Sequence, residues 1–149
     1  MRETISEGLK TALKARDQRR TATLRAINAA IKDKDIANRG EGKGPATNEE
    51  ILSLLQKMVK QREESFAVYA QAGRTDLATV EKEEIDILNE FLPKPLSEAE
   101  VEAAIKAAIA ATGAEGVKDM GKVIAQLKAD YPGRIDFGKA SGQVRASLG

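Results

Sequence analysis

Apolar residues recur at three- and four-residue spacing along almost the whole chain, and no stretch alternates as a strand would. That periodicity predicts an all-α protein. Ile5, Leu9, Ala12 and Leu13 form a first stripe, and Leu24, Ile27, Ala30 and Ile31 continue it beyond the basic Arg16, Arg19, Arg20 and Arg25. Residues 3–36 read as one long helix, or as two separated by a kink near Asp17. Three glycines and Pro45 within Asn38–Pro45 predict a mobile loop. Thr47 and Glu50 then have the spacing of a capping box, opening a helix through Ile51, Leu54, Leu55, Met58, Val59, Phe66, Tyr69 and Ala70. Gly73 is its natural stop. The next helix starts near Thr75 or Asp76 and runs through Leu77, Val80, Ile85, Leu88, Phe91 and Leu92.

Pro93-Lys94-Pro95 ends that helix, because the residue before a proline is pushed out of the helical region. This is the best domain boundary, with an N-terminal domain of long helices over 1–92 and a small C-terminal three-helix domain over 96–149. Ser97 and Glu100 make a second capping box, followed by Val101, Ala104, Ile105, Ala108 and Ile109 up to Gly113. Met120, Val123, Ile124 and Leu127 mark the second short helix. Asp136 caps a third that holds Ala140, Val144 and Leu148.

Composition narrows the chemistry. With 0 Cys and 0 His among 149 residues, the chain has no disulfide, thiolate nucleophile, Cys/His zinc site or imidazole base. No catalytic residue, metal ligand or cofactor is assigned. No apolar run approaches the roughly 20 residues that cross a bilayer. Met1-Arg2-Glu3-Thr4-Ile5 lacks the apolar core of a secretory signal. The expectation is a soluble, cytoplasmic protein with no membrane partner. The net charge of +1 hides a split: residues 1–62 hold fourteen Lys/Arg against eight Asp/Glu, residues 63–107 four against eleven, and residues 108–149 six against four. Mutual pairing of the opposite blocks is favoured over steering of an anionic partner.

Several polar clusters have ordinary explanations. Lys60 and Glu64 stand four apart and are placed to pair on a solvated face. Glu81, Glu83, Glu84 and Asp86 lack the ligand spacing of a calcium loop. Lys14, Arg16, Arg19, Arg20 and Arg25 suit phosphate contact, but no aromatic residue lies among them to stack on bases. Pairing with the acidic middle of the chain is the simpler account. The C-terminal segment is more specialised. Gly121 falls in the first turn of a helix, where it costs up to about 1 kcal/mol relative to Ala. It either admits a sugar-phosphate backbone near N–H groups or permits tight helix packing. Lys118, Lys122, Arg134 and Lys139, with Gly133, complete the candidate site. The Walker spacing of a nucleotide loop is missing.

Leu24-Arg25, Lys60-Gln61-Arg62-Glu63-Glu64-Ser65, Gly73-Arg74-Thr75-Asp76-Leu77, Phe91-Leu92-Pro93, Asp119-Met120-Gly121-Lys122-Val123 and Gly133-Arg134 follow one another in a familiar order. Together they make the chain resemble the YqeY proteins, also called GatB/YqeY-domain proteins, over nearly its whole length. That family commonly has Gly-Arg-Ala-Asp-Gly where this chain reads Gly133-Arg134-Ile135-Asp136-Phe137-Gly138. The resemblance implies two helical domains, the second similar to the tail of the GatB subunit of tRNA-dependent amidotransferase. It implies a tRNA-contacting accessory role, with tRNA or an aminoacyl-tRNA enzyme complex as partner, and no catalysis by this chain alone. Lys118, Gly121, Lys122, Gly133, Arg134 and Lys139 are the implied contact residues. The alternative is a protein-interaction module whose C-terminal helices dock on a partner enzyme.

Overall fold

A computed structural model describes all residues, 1–149, as seven α-helices and one short 3₁₀ turn, with no strand. The chain divides into two compact units, Met1–Leu92 and Pro93–Gly149. The first contains α1 (Arg2–Lys14), α2 (Gln18–Gly40), α3 (Asn48–Gln71) and α4 (Thr75–Asn89). The second contains α5 (Glu98–Thr112), a 3₁₀ turn (Val117–Asp119), α6 (Met120–Asp130) and α7 (Phe137–Leu148).

The region before Ile36 is two helices. Arg16 takes a left-handed φ of 56°, and the N–H groups of Arg16 and Asp17 close α1 onto the carbonyls of Leu13 and Ala12. Asp17 then caps α2 by accepting from the Arg20 N–H at 3.0 Å. The left-handed residue at α1's end and the aspartate cap at α2's start produce the break. Contrary to expectation, α2 runs past Asn38 to Gly40. Asn38 is buried in its last turn, its amide facing the Glu50 carboxylate at 3.3–3.4 Å, so tertiary burial extends the helix into the glycine-rich stretch. The following loop is held at Asp35, which accepts two hydrogen bonds from Arg2 and one from the Ala46 N–H at 2.7 Å.

Both capping boxes form as predicted, at Thr47/Glu50 and Ser97/Glu100. Gly73 ends α3 with a φ of 73°, while the Gly73 and Arg74 N–H groups bond back to Ala70 and Tyr69. This pair of bonds is a Schellman closure and sets the turn of the α3–α4 hairpin. The last predicted turn of α4 is tighter: after Asn89 the N–H groups of Glu90, Phe91 and Leu92 reach back three residues, as the chain approaches Pro93.

The core of the first unit gathers Ile5, Ala12, Leu24, Ile27, Ile31, Ala46, Ile51, Leu55 and Leu88. Ala78 and Ile87 of α4 are buried outside this cluster. The second unit has its own core of Ala104, Ile105, Ala108, Val123, Leu127, Ile135, Ala140 and Val144. Ile135 is 2% exposed and belongs to this core.

Bases of the first sixty-two residues meet acids of α4, and Glu90 just beyond it, as the charge split suggested. Arg19 bonds Glu83 at 3.1 Å, Arg20 bonds Glu90 at 2.8 Å, and Arg62 lies 2.7 Å from Glu84. Lys60 and Glu64 make no salt bridge on their exposed face, and the ion pair of this segment is that of Arg62 with Glu84.

Candidate nucleic-acid interface

The six predicted contact residues all lie on α6, α7 or their flanking turns, yet they do not form one patch. Lys118, Gly121 and Lys122 sit at the N-terminal end of α6. Gly133 and Arg134 lie beyond its C-terminal end, with Lys139 in the first turn of α7. The part of α6 beyond Lys122, residues 123–130, separates the two groups by about 12 Å of helix.

At the N-terminal end, a Cβ added to Gly121 would find nothing within 4 Å. Tight helix packing therefore does not explain this glycine; it leaves an open patch of exposed backbone. Lys118 and Lys122 are exposed on either side of Asp119. Asp119 accepts from the Glu115 N–H at 3.0 Å and stands 3.8 Å from the Lys122 ammonium. That backbone bond, aided by Lys122 and Lys118, holds its carboxyl below the ordinary value. Lys122 is thus partly neutralised, and Lys118 makes no ion pair.

At the other end, Gly133 is buried with a φ of 75°, a backbone state that L side chains rarely adopt. Arg134 is a tie within the unit: its Nε donates to the Lys94 carbonyl at 2.9 Å, and its own carbonyl accepts from the Leu96 N–H at 2.9 Å. The start of α7 is occupied by Asp136, whose carboxylate accepts from the N–H groups of Gly138 and Lys139. Lys128 lies 5.7 Å from the centre of the Phe137 ring, a cation–π contact joining α6 to α7.

The clearest cationic surface runs along α7. Lys139, Gly142 and Arg145 recur every third residue, all exposed, and a Cβ on Gly142 would meet nothing within 4 Å. Residues three apart share a helix face. Neither cation is engaged by a carboxylate. Sequence reasoning missed Gly142 and Arg145, although their spacing from Lys139 was legible. No group of three or more Asp and Glu side chains is disposed to hold a metal. No helix is long and apolar enough to cross a membrane.

The chain is similar to several fungal proteins named "Altered inheritance of mitochondria protein 41, mitochondrial". It is 27% identical to that of Pyrenophora tritici-repentis over 97% of this chain and 79% of the relative. It is 31% identical to that of Kluyveromyces lactis over 96% of this chain and 73% of the relative. With the Lachancea thermotolerans protein it shares 33% identity over 68% of this chain and 54% of the relative, so there it spans about half the relative's length. These names correct the expectation of a cytoplasmic protein, since they point to the mitochondrion. Cysteine content and the lack of an apolar span do not separate the two compartments. A family model described as Yqey-like protein matches residues 2–148, and the chain belongs to that family.

Proposed function

We propose that the protein is an RNA-binding accessory factor of the tRNA-dependent amidation machinery, contacting tRNA through the phosphate backbone with the outer face of α7 and the start of α6. The observation that carries this reading is the set Lys118, Lys139 and Arg145, exposed and without an ion-pair partner beside the open glycines Gly121 and Gly142. Cations of this kind contact phosphate oxygens, and glycines without neighbours let a backbone approach. Structured RNA offers its backbone and 2′-hydroxyls more readily than its base edges, so shape and charge dominate. Lys122 contributes less because of Asp119, and Arg134 holds the Lys94 turn in place.

Binding of the full chain to a tRNA pool across a salt series tests the proposal. Affinity should fall steeply with salt, by about 0.7–0.9 log units per log unit of salt for each phosphate contacted. Lys118→Ala, Lys139→Ala and Arg145→Ala combined should lower affinity at least about tenfold and flatten the slope. Absence of binding at low salt, or binding indifferent to both salt and the triple substitution, would overturn the reading.

A further inference from the structure

The six cations of α2 divide by helix face. Arg19, Arg20 and Lys34 turn toward the neighbouring helices, where Glu83 and Glu84, Glu90, and Glu50 answer them in turn. Arg25, Lys32 and Arg39 are exposed and make no ion pair. The pairing expected of Arg25 with the acidic middle of the chain therefore does not form, because α4 packs on the side of α2 that carries Arg19 and Arg20.

The three unanswered cations recur every seventh residue, about 10.5 Å apart along the helix. Ala22, Ala29 and Ile36 interleave with them at the same period. Positions 22, 25, 29, 32, 36 and 39 thus alternate three- and four-residue steps along one face. All six are exposed, Ile36 by 59%. Asp33, at the edge of this face, is the one carboxylate of α2 without a cation, since Asp35 is held by Arg2. The face has the layout of a coiled-coil seam, with a small or branched apolar residue at one seam position and a cation at the other. The alanines let a second helix come close, and Ile36 offers it an apolar contact. The long Lys and Arg stems can lie along it while their charged heads reach outward.

We infer that the outer face of α2 docks an acidic helix of a partner protein, one with apolar residues at one seam position and Asp or Glu at the other. The sign of the charge calls for an anionic occupant, and the seven-residue period calls for a helix. A helix crossing at about 20° keeps step with this straight row over its length of about 26 Å. The strands of an RNA duplex wind away from such a row. No aromatic side chain lies on the face to stack on single-stranded bases. An anionic bilayer needs a broad apolar face, and Ile36 is the one large apolar residue on this one. The site belongs to the first unit and shares no residue with the α7 face.

The test uses the full chain and two labelled peptides of identical composition, about four heptads long so that both are helical. One carries leucine and glutamate at its two seam positions; in the other the same glutamates are moved to the far face. The in-register peptide should bind at least about tenfold more tightly than its isomer and crosslink to residues 22–39. Arg25→Glu with Lys32→Glu should weaken it at least about tenfold, and a peptide with lysine in place of glutamate should recover that loss on the reversed variant. Both substituted positions are exposed, and circular dichroism confirms that the variant is folded. Lys118→Ala, Lys139→Ala and Arg145→Ala combined should leave peptide binding unchanged. Equal binding of the two peptides, crosslinks confined to other helices, or full affinity in the charge-reversed variant would overturn the inference. Tighter binding of a short RNA duplex or of phosphatidylserine vesicles, dependent on Arg25 and Lys32, would also overturn it, in favour of phosphate or lipid.

Discussion

The α3–α4 hairpin and the C-terminal unit are built from the same material, amphipathic helices with capped ends, but they treat charge and apolar surface differently. In the hairpin, much of the acidic charge is matched by arginines from α2 and α3, while the apolar rows lose cover toward the tip. In the C-terminal unit, the apolar residues close into a small core of eight, and it is the cations of α7 that stay unanswered. Unsatisfied groups indicate what a surface can bind. Cations beside bare glycine backbone suit phosphate. The near-neutral total charge conceals them.

The strongest way to break this contrast is to attack the two cores separately. Leu55 and Leu127 are each 0% exposed, and truncation of either to Ala should cost about 2–5 kcal/mol. Because the cores share no residue, amide exchange in Leu127→Ala should rise across 93–149 while residues 1–92 keep their protection. Leu55→Ala should show the converse. Uniform loosening of the whole chain by either substitution would mean that the two surfaces cannot be treated as belonging to separate modules.

A smaller effect sharpens the reading of the glycines. Gly133→Ala forces a side chain into a φ of 75° and should destabilise the C-terminal unit by about 1–2 kcal/mol. Gly121→Ala adds a methyl group in open space within a helix and should stabilise by up to about 1 kcal/mol. If the bare backbone at Gly121 matters for RNA approach, that more stable variant binds tRNA less well. Chemical denaturation gives the two opposite signs, and unchanged tRNA affinity in Gly121→Ala would remove that glycine from the interface.

Much of the fold was legible because it rests on local rules. The capping boxes at Thr47 and Ser97, the stops at Gly73 and Gly113, and the aspartate cap at 136 each depend on a few neighbouring residues. What the pattern did not show depends on partners distant in sequence. Asn38 extends α2 because Glu50 receives its amide, and Arg62 turns from the pairing range of its own helix to reach Glu84. The candidate site was legible as a list of residues but not as a surface. Spacing along the chain could not reveal that α6 holds Gly121 and Gly133 a helix length apart, or that Arg134 is committed to the Lys94 carbonyl. The uncovered row of the hairpin was hidden for the same reason, since periodicity records which residues ask for burial and not whether another element supplies it.

The finest test of the contrast is acid titration. Asp35 in the first unit is held down to about 2, below its usual 3.8, first by its hydrogen bonds from Arg2 and then by the Ala46 N–H. In the second unit Glu100 and Asp119 are also lowered, but chiefly by the backbone N–H groups of Ser97 and Glu115. For Asp35 the unfolded chain takes up a proton below about 3.8 while the folded chain resists until about 2. The unfolded state therefore binds more protons in that window, and the stabilisation present above it is lost as pH falls through it. Urea melts of the full chain should show the first unit weakening between those two values. In Asp35→Asn this part of the acid slope should vanish, while the slopes from Glu100 and Asp119 persist in the second unit. Because Arg2 and Asp35 are partly solvent-exposed, added salt should shrink the difference between wild type and variant. An acid slope in Asp35→Asn equal to that of the wild type would show that the loop after α2 is held by Asn38 and the Thr47 cap, and not by the Arg2–Asp35 pair.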